Sequence, residues 1–300
     1  MKKIGIGSWA YIFGPYESHP IDFKTVVENL SRIGFDAVSI AGFRPHIFVD
    51  DYQDKAKRNA FLKLLSDNHL EAAEFSPDPF LENPVIDPVP YIERMKRNID
   101  FLSDCGFSLF RLDSACPPIL PEGISYGKAY DNTVSTFQVL SEYAGRKGIT
   151  VVWEFEPGFL FNKPSEILQI YDDVSNQNFK ILFDCCHAYM CAVVGARQLG
   201  EKEVLPGGVM EFLEQLKGKI GMVHLIDSDG TLHDNNTSTH APFGTGVLNI
   251  REIYKKLLDP DYYDGEFISI DLCFWPDAWN VTKDCYDYLR SLQSELEINS

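Results

Sequence analysis

The amino-acid sequence predicts an α/β protein with the architecture of a (β/α)8 TIM barrel. Runs typical of β-strands alternate along the chain with amphipathic helices, which is the pattern of a parallel sheet with helical crossovers. Eight such strands occur at intervals of roughly 30–47 residues, and each interval is long enough for a crossover helix. With 300 residues, the chain fits a single barrel domain spanning residues 1–300, because α/β barrels of this size fold as one unit.

The predicted strands are short runs rich in Val, Ile, Phe and Trp, which favour extended structure. In chain order they cover residues 3–8, 36–40, 70–75, 107–112, 149–156, 180–184, 220–226 and 266–272. A doubly wound open sheet is the alternative architecture. Its glycine-rich phosphate turn after the first strand is missing, since Gly5 and Gly7 lie inside that strand. The closed barrel is therefore the favoured interpretation.

The segments between the strands have the period of helices with one apolar face. The apolar positions of the first predicted helix are Phe23, Val26, Val27, Leu30 and Ile33. A glycine often ends such a helix by adopting the left-handed conformation, and Gly34, Gly106 and Gly148 stand at these positions. Pro164 opens a later helix, as proline does at the first helical position.

Charge and cysteine content limit the classes of partner. The chain has 27 basic and 44 acidic side chains and a net charge of −17, which disfavours nucleic acids and anionic membranes as partners. No segment approaches the ~20 apolar residues of a membrane helix, and the first residues read as a strand rather than as a signal peptide. The seven cysteines are odd in number and form no Cys-x-x-Cys pair. They therefore predict reduced thiols in a cytoplasmic protein.

Each of the last four predicted strands ends in a residue of a type that commonly binds metals. Glu154, Asp184, His224 and Asp271 follow or close the last four strands, and the carboxyl ends of barrel strands meet on the catalytic face. Three carboxylates and one imidazole suit one Mn²⁺ per chain, or Mg²⁺ or Co²⁺, with positions left for substrate oxygens. A structural zinc site would contain more thiolates. The adjacent Cys185 and Cys186 are expected to be packed, reduced thiols.

Several motifs are shared with a known family. They are the strand at 153–158, the pair Asp184 and His187, the pair His224 and Asp227, and the loop at 242–246. On these motifs the chain resembles, over almost its whole length, the xylose isomerase-like TIM-barrel superfamily of sugar isomerases and epimerases. The resemblance implies that Glu154, Asp184 and His224 bind the metal and that His187 contacts the substrate.

One acidic residue differs from the family pattern, and another is an alternative metal ligand. Asp271 departs from the family pattern, which has the longer glutamate there, and this puts its role as a second base in doubt. Glu156 lies two residues beyond Glu154 and points to the same side of the strand. It is the alternative metal ligand, although the motif alignment favours Glu154.

Two further segments, residues 7–11 and 268–279, look most like the catalytic subunit of bacterial C-glycoside deglycosidases. This resemblance implies a lyase that cleaves 3-oxo-C-glycosides by proton abstraction and β-elimination. It also implies a smaller second subunit, in a hetero-oligomer, that covers part of the catalytic face. A keto-sugar epimerase or isomerase, or an inosose dehydratase, is the alternative on the same scaffold. A related endonuclease for abasic DNA is disfavoured by the net charge and needs more histidines.

The expected chemistry assigns roles to the remaining polar groups near the strand ends. A metal stabilises an enediolate while a nearby base removes the proton next to the carbonyl group. The candidates for proton transfer are Glu156, His187 and His46. The candidates for substrate binding are Arg111, His240 and Trp275. Arg111 has a structural alternative, an ion pair with Asp113, and Trp275 has the alternative of packing in the core.

Overall fold

Eight parallel strands form the centre of the protein, and all eight predicted strands are confirmed. The computed structural model describes residues 1–234 and 236–298. The strands of this sheet are β1 (Lys3–Ile6), β2 (Ala37–Gly42), β3 (Glu71–Pro77), β4 (Leu109–Leu112), β5 (Thr150–Glu154), β6 (Phe179–Asp184), β7 (Ile220–Leu225) and β10 (Phe267–Ile270). Their order in the sheet is β1-β10-β7-β6-β5-β4-β3-β2. The predicted (β/α)8 architecture is therefore confirmed.

The barrel closes where the first strand meets the second. A parallel bridge joins Gly7, directly after β1, to Ser39 in β2. Inside the barrel, the Ser39 hydroxyl lies 2.6 Å from the Ser269 hydroxyl of β10. A Cβ atom on Gly5 would lie 2.9 Å from this Ser269 oxygen. Small residues at these positions therefore let the three strands approach closely enough to close the sheet.

Helices surround the barrel and pack their apolar faces on it. They are α1 (Phe23–Ile33), α2 (Lys55–Asp67), α3 (Pro88–Cys105), α4 (Tyr126–Gly145), α5 (Pro164–Val174), α6 (Cys185–Tyr189), α7 (Gly208–Gln215), α8 (Ile250–Leu257) and α9 (Ala278–Ile298). The Asp22 carboxylate caps α1 by accepting a hydrogen bond from the Thr25 amide at 3.0 Å. Gly34 ends α1 with φ +110°, as predicted. No helix in the described part of the chain is long and apolar enough to cross a bilayer.

An apolar plug fills one part of the barrel interior. It consists of the buried side chains Ala37, Ala73, Val152, Leu182 and Met222. All seven cysteines lie in the described residues and are free thiols. Because the apolar side chains occupy the interior beneath the strand ends, the polar groups of the barrel are gathered at its carboxyl end.

A β-hairpin follows β7 in a stretch where the sequence suggests only a loop. It consists of β8 (Asp227–Leu232) and β9 (Ser238–Ala241), which pair antiparallel with an irregular register. The run Asp-Ser-Asp-Gly-Thr in β8 contains no apolar alternation, so its sequence resembles a turn. Hydrogen bonds to one buried carboxylate hold the base of the hairpin instead.

That carboxylate belongs to Asp227, which is 1% exposed. It accepts hydrogen bonds from the backbone amides of Ser228, Gly244, Gly246 and Leu248 at 2.9–3.1 Å. A Cβ atom on Gly246 would lie 2.2 Å from the Ser228 carbonyl oxygen, so only glycine fits there. The loop at 242–246 therefore encloses a carboxylate of the protein itself.

His46 lies in the loop after β2 and is almost completely buried. Its Nε2–H donates to the Ile21 carbonyl oxygen at 2.9 Å. Its Nδ1 therefore accepts from the Ser8 hydroxyl at 3.2 Å. Burial lowers the pKa of His46 to about 4. With both nitrogens engaged by the loops around it, this imidazole connects two segments of the protein.

We predict that His46 makes the protein sensitive to acid. The unfolded chain binds a proton at this position near pH 6.5, whereas the folded protein does so only near pH 4. The free energy of unfolding should therefore fall by about 2–3 kcal/mol between pH 7 and pH 4.5, in addition to the contribution of carboxylates. Urea unfolding of His46→Gln should show a smaller fall over this range, with lower stability at pH 7. The exposed His19→Gln variant serves as control. An unchanged pH dependence in His46→Gln would contradict this prediction.

Candidate active site

A cavity opens at the carboxyl ends of the barrel strands. The ionisable side chains in its lining include Arg111, Glu154, Glu156, His187, His240 and Asp271. Its aromatic lining consists of Trp9, Phe13, Phe43, Phe80, Phe159 and Phe274. In a (β/α)8 barrel this end carries the functional groups. The cavity is therefore the candidate active site.

The four predicted metal ligands lie together at this end of the barrel. Glu154, Asp184, His224 and Asp271 each offer one ligand atom, and these atoms all lie within 4.8 Å of one another. All four residues are 2% exposed or less. The register of the sheet explains their meeting, since Asp184 is the direct partner of His224. The cluster can hold a divalent metal ion.

The hydrogen bonding within the cluster agrees with an ion at its centre. Nδ1 of His224 lies 2.9 Å from Glu154 Oε1 and 3.5 Å from Asp271 Oδ2. Within the described residues, His224 Nδ1, Glu154 Oε1 and Asp184 Oδ2 are buried and have no aligned hydrogen-bond partner. Buried polar atoms are rarely left in this state. Three such atoms from different strands, all facing one point, fit a cation with oxygen and nitrogen ligands.

Neighbouring groups hold the cluster in its orientation. Nε2 of His224 lies 2.5 Å from Glu74 Oε1, which turns Nδ1 toward the other ligand atoms. The Trp9 indole N–H donates to Asp271 Oδ1 at 3.0 Å. Such outer contacts fix the tautomer of a ligand imidazole and the rotamer of a ligand carboxylate. The sequence reasoning missed the role of Glu74, although a buried glutamate near the end of a neighbouring strand is a signal for it.

Burial and the neighbouring carboxylates have opposite effects on the pKa of His224. Burial alone would lower the pKa of its imidazole, but Glu74 and Glu154 raise it well above the usual value. In the absence of a metal ion, a proton on His224 therefore offsets part of the negative charge. A divalent ion bound at Nδ1 would replace that proton.

Arg111 forms two ion pairs in the floor of the cavity. Its guanidinium lies 2.9 Å from Asp113 Oδ1 and also contacts Glu154. The predicted structural alternative for Arg111, an ion pair with Asp113, is thus present, and the side chain also lines the cavity. Arg111 therefore orients Glu154 from the side opposite His224.

Glu156 and His187 form a second pair of titratable groups in the cavity wall. Glu156 Oε2 lies 3.6 Å from His187 Nε2 and accepts a hydrogen bond from the Thr237 hydroxyl. His187 Nδ1 lies 2.8 Å from the Ser238 hydroxyl. Burial raises the pKa of Glu156 to about 7 and lowers the pKa of His187 to about 3. Near neutral pH the cavity therefore contains a carboxyl group that can donate a proton beside an imidazole that can accept one.

Three other predicted site residues have different surroundings. His240 of β9 lines the cavity, and its Nε2 lies 3.7 Å from Asp184 Oδ2. His46 does not line the cavity, because its ring is held between Ser8 and Ile21. Trp275 does not line it either and packs partly buried against the core. The expected roles of His46 in proton transfer and of Trp275 in substrate binding therefore find no support in their positions.

The aromatic wall of the cavity is built mainly from phenylalanines that are not among the residues predicted from the sequence. Phe13 stacks between Phe43 and Phe274, with ring centroids 5.2 Å and 5.0 Å apart. Phe274 has a positive φ of 61°, and a turn closes from the Trp275 amide to the Leu272 carbonyl oxygen at 3.0 Å. This turn is the physical reason that Phe274, and not Trp275, faces the cavity.

The comparison with known proteins points to a family with the same architecture. The sequence profile of the family described as "Xylose isomerase-like TIM barrel" matches residues 27–286. Fructoselysine 3-epimerase from Shigella flexneri is 22% identical over 288 residues, which cover 90% of this chain and 92% of that protein.

Two solved structures are similar in fold. A D-tagatose 3-epimerase-like protein superposes with a TM-score of 0.71 at 22% identity, covering 98% of this chain and 99% of the other. The probable 3-DHS dehydratase AsbF from Bacillus anthracis superposes with a TM-score of 0.70 at 18% identity, covering 96% and 98%. At these identities the structural likeness bears on the fold alone. The matched residues include the strands that carry Glu154, Asp184 and His224, and by this match the chain belongs to the xylose isomerase-like TIM barrel family.

Proposed function

We propose that the protein is a divalent-metal-dependent sugar epimerase or isomerase that moves a proton on the carbon next to the carbonyl group of a keto-sugar. The observation that carries this proposal is the cluster of Glu154, Asp184, His224 and Asp271 beside the Glu156–His187 pair in one cavity. The curated relative is itself named a 3-epimerase of fructoselysine. This similarity favours proton transfer without loss of a substituent. The resemblance to C-glycoside deglycosidases would instead imply a lyase reaction.

The proposed metal ligands are Glu154, Asp184, His224 and Asp271, and Mn²⁺ is the proposed ion. A divalent ion held there would supply Lewis-acid stabilisation of the negative charge that develops on the substrate oxygens. The residues of the chain provide its surroundings. Glu74 and Trp9 orient two of the ligands, and the buried position of the cluster keeps bulk water from the charge.

Proton transfer is assigned to the pair in the cavity wall. The neutral imidazole of His187 takes the proton from the carbon next to the carbonyl group, and the bonding electrons pass to the carbonyl oxygen. The carboxyl group of Glu156, with a pKa of about 7, is partly protonated at neutral pH and returns a proton to carbon. The proton on His187 then passes to the Glu156 carboxylate 3.6 Å away, which restores both groups. Because these two groups are 3.6 Å apart, they meet the same side of a bound sugar. This geometry favours isomerisation, in which the proton returns on that side to the neighbouring carbon and the hydroxyl proton passes to the other oxygen, whereas epimerisation needs a proton donor on the opposite face.

A second candidate function is β-elimination, including cleavage of 3-oxo-C-glycosides. Asp271 is one methylene shorter than the family's glutamate, and its Oδ1 accepts hydrogen bonds from Trp9 and from the Cys273 amide. It is therefore poorly placed to return a proton from the opposite face of the sugar, which epimerisation requires. Elimination needs one base and one acid to a leaving group, and His187 and Glu156 supply both. The probable dehydratase with the same fold has a name that describes an elimination.

The aromatic wall of the cavity indicates the kind of substrate that fits there. Five phenylalanines line the cavity, which favours a sugar with a large substituent over a free ketohexose.

Phe80 at this wall is 71% exposed. We propose that a smaller second subunit covers it in a cytoplasmic hetero-oligomer, as the resemblance to C-glycoside deglycosidases implies. Co-expression with a neighbouring reading frame followed by size-exclusion chromatography tests this assembly.

We predict that the products distinguish the two candidate reactions. The Mn²⁺-loaded protein is incubated in D₂O with fructoselysine, free ketohexoses and 3-oxo-glycosides, and products are identified by mass spectrometry and NMR. An epimerase or isomerase should give a sugar with the elemental composition of the substrate, apart from one deuterium in place of hydrogen at the reacting carbon. A lyase should release the substituent as a separate molecule. Absence of deuterium exchange and of product from all three classes would contradict the proposed function.

We predict that Asp271→Asn weakens Mn²⁺ binding by more than about 100-fold. Loss of an outer contact already costs about 10–100-fold in metal affinity, and this change removes a ligand charge. The asparagine oxygen can still accept the hydrogen bonds from Trp9 and Cys273, so the fold should persist. Binding is measured by electron paramagnetic resonance of free Mn²⁺. Asp229→Asn, which removes a charge from the exposed part of the hairpin, is the control. Equal affinity of Asp271→Asn and wild type would contradict the assignment.

We predict that the Glu156→Gln variant still binds the metal ion but turns over substrate much more slowly. Its carboxyl group lies beside His187 and outside the cluster of ligand atoms. The turnover number should fall on the order of 10²–10⁴-fold, as for a lost general acid, while Mn²⁺ affinity changes little. Glu154→Gln, at the end of β5, should instead lose the ion. If Glu156→Gln loses Mn²⁺ as readily as Glu154→Gln does, Glu156 is a metal ligand and its assigned role is wrong.

A further inference from the structure

The hairpin after β7 contacts both members of the proton-transfer pair. The Thr237 hydroxyl donates a hydrogen bond to Glu156 Oε2. The hydroxyl of the next residue, Ser238, lies 2.8 Å from His187 Nδ1. Both residues are buried, with 5% and 0% of their surface exposed, and buried hydroxyl groups nearly always have hydrogen-bond partners. Two consecutive residues of one hairpin therefore contact the acid and the base of the cavity.

The carboxyl group of Glu156 is enclosed at both of its oxygens. Oε2 accepts from Thr237 and lies 3.6 Å from His187 Nε2. Oε1 lies against the backbone of Gly158, since a Cβ atom there would be 2.5 Å from this oxygen. Within the hairpin, the Thr237 carbonyl oxygen accepts from the His233 amide at 2.9 Å. The position of the carboxyl group therefore depends on the hydroxyl that the hairpin presents to it.

A chain of hydrogen bonds connects the Nδ1 atom of His187 to the protein backbone. The Cys186 thiol donates to the Thr239 carbonyl oxygen at 3.3 Å, and its sulfur is also hydrogen-bonded to the Ser238 hydroxyl. A carbonyl oxygen can only accept, and a thiol has a single proton. The sulfur therefore accepts from Ser238, and the Ser238 oxygen is left to accept from Nδ1–H of His187.

The direction of this chain decides the tautomer of His187. In a neutral imidazole one nitrogen carries the proton and the other is an acceptor, and the partner of one nitrogen sets the state of the other. With the proton on Nδ1, the lone pair is on Nε2, which is the nitrogen that faces Glu156. The opposite tautomer would have a proton on Nε2 and could not take one from a substrate in the cavity.

We propose that Thr237 and Ser238 are positioning residues for proton transfer. Thr237 holds the carboxyl group of Glu156 beside the imidazole. Ser238, together with Cys186, keeps the proton of His187 on Nδ1, so that Nε2 is free to act as the base. This proposal rests on the roles that the proposed function assigns to Glu156 and His187, and it adds that the hairpin sets these roles.

Nuclear magnetic resonance tests the tautomer without any substrate. The full chain is labelled with ¹⁵N-histidine and loaded with Mg²⁺, and proton–nitrogen correlation spectra show which ring nitrogen carries the proton. The His187→Gln variant identifies the signals of this ring. We expect the proton on Nδ1 in the wild type. Ser238→Ala removes the acceptor of that proton, and Cys186→Ala frees the Ser238 hydroxyl to donate to Nδ1, so each should shift the population toward the Nε2–H tautomer.

Thr239→Val is the matched control, because it removes a hydroxyl from the same strand that is paired with the Thr231 hydroxyl. It should leave the tautomer unchanged. A proton on Nε2 in the wild type, or an unchanged tautomer in Ser238→Ala, would overturn the role of Ser238. An unchanged tautomer in Cys186→Ala would overturn the chain that supports it.

Kinetics of deuterium exchange into the substrate in D₂O test the role of Thr237. Thr237→Val keeps the shape of the side chain but removes the hydroxyl. We expect kcat to fall by up to about 100-fold, as for a reacting group displaced by about 1 Å, while KM and Mn²⁺ affinity change little. Thr237→Ser restores the hydroxyl and should recover most of the rate. An unchanged kcat in Thr237→Val, or an equal loss in Thr237→Ser, would overturn the role of Thr237. Absence of wild-type activity on every substrate class would contradict the proposed function, and the tautomer would still decide the role of Ser238.

Discussion

The burial of negative charge at one end of the barrel is the constraint on which the site depends. Five carboxylates (Glu74, Asp113, Glu154, Asp184 and Asp271) are 2% exposed or less. Carboxylates in such an interior are stable only when cations or hydrogen-bond donors compensate them. Arg111 supplies one fixed positive charge, and protonated histidines or bound metal ions must supply the rest. The chemistry of the site and the stability of the barrel are therefore linked through the same groups.

This constraint explains the division between ligands and proton-transfer groups. Carboxylates within the cluster are oriented by Arg111, Trp9 and His224, so their charge is committed to the centre of the barrel. Glu156 lies two residues beyond the end of β5, where its carboxyl group contacts Thr237 and His187, and burial raises its pKa to about 7. Glu154 at the end of β5 is thus held by Arg111 and His224, whereas Glu156, two residues later, contacts Thr237 and His187. The end of one strand can therefore supply both a metal ligand and an acid.

The sequence predicts the barrel well because the period of each element is local. The eight strands, the end of α1 at Gly34 and the meeting of the four ligand residues all follow from alternation, glycine positions and the geometry of parallel strands. The hairpin was missed because Asp227 stabilises it through contacts with amides up to 21 residues away. The sequence predicts Trp275 as a substrate contact, but the left-handed backbone of Phe274 turns the chain so that Phe274 lines the cavity, and no pattern in the sequence marks that turn. His46 resembles a site histidine in the sequence, but its partners are loops that meet only in the folded protein.

The Asp227 carboxylate has a consequence for how this protein can change in evolution. It satisfies four backbone amides at the root of the hairpin, and none of these contacts involves a side chain of the hairpin tip. The tip can therefore accept insertions, deletions and new residue types while the root keeps its geometry. Thr237 and Ser238, which contact Glu156 and His187 from this hairpin, are the limit of that freedom. A lineage of such barrels can diversify its substrates by exchanging one short segment, without rebuilding the ion-binding floor.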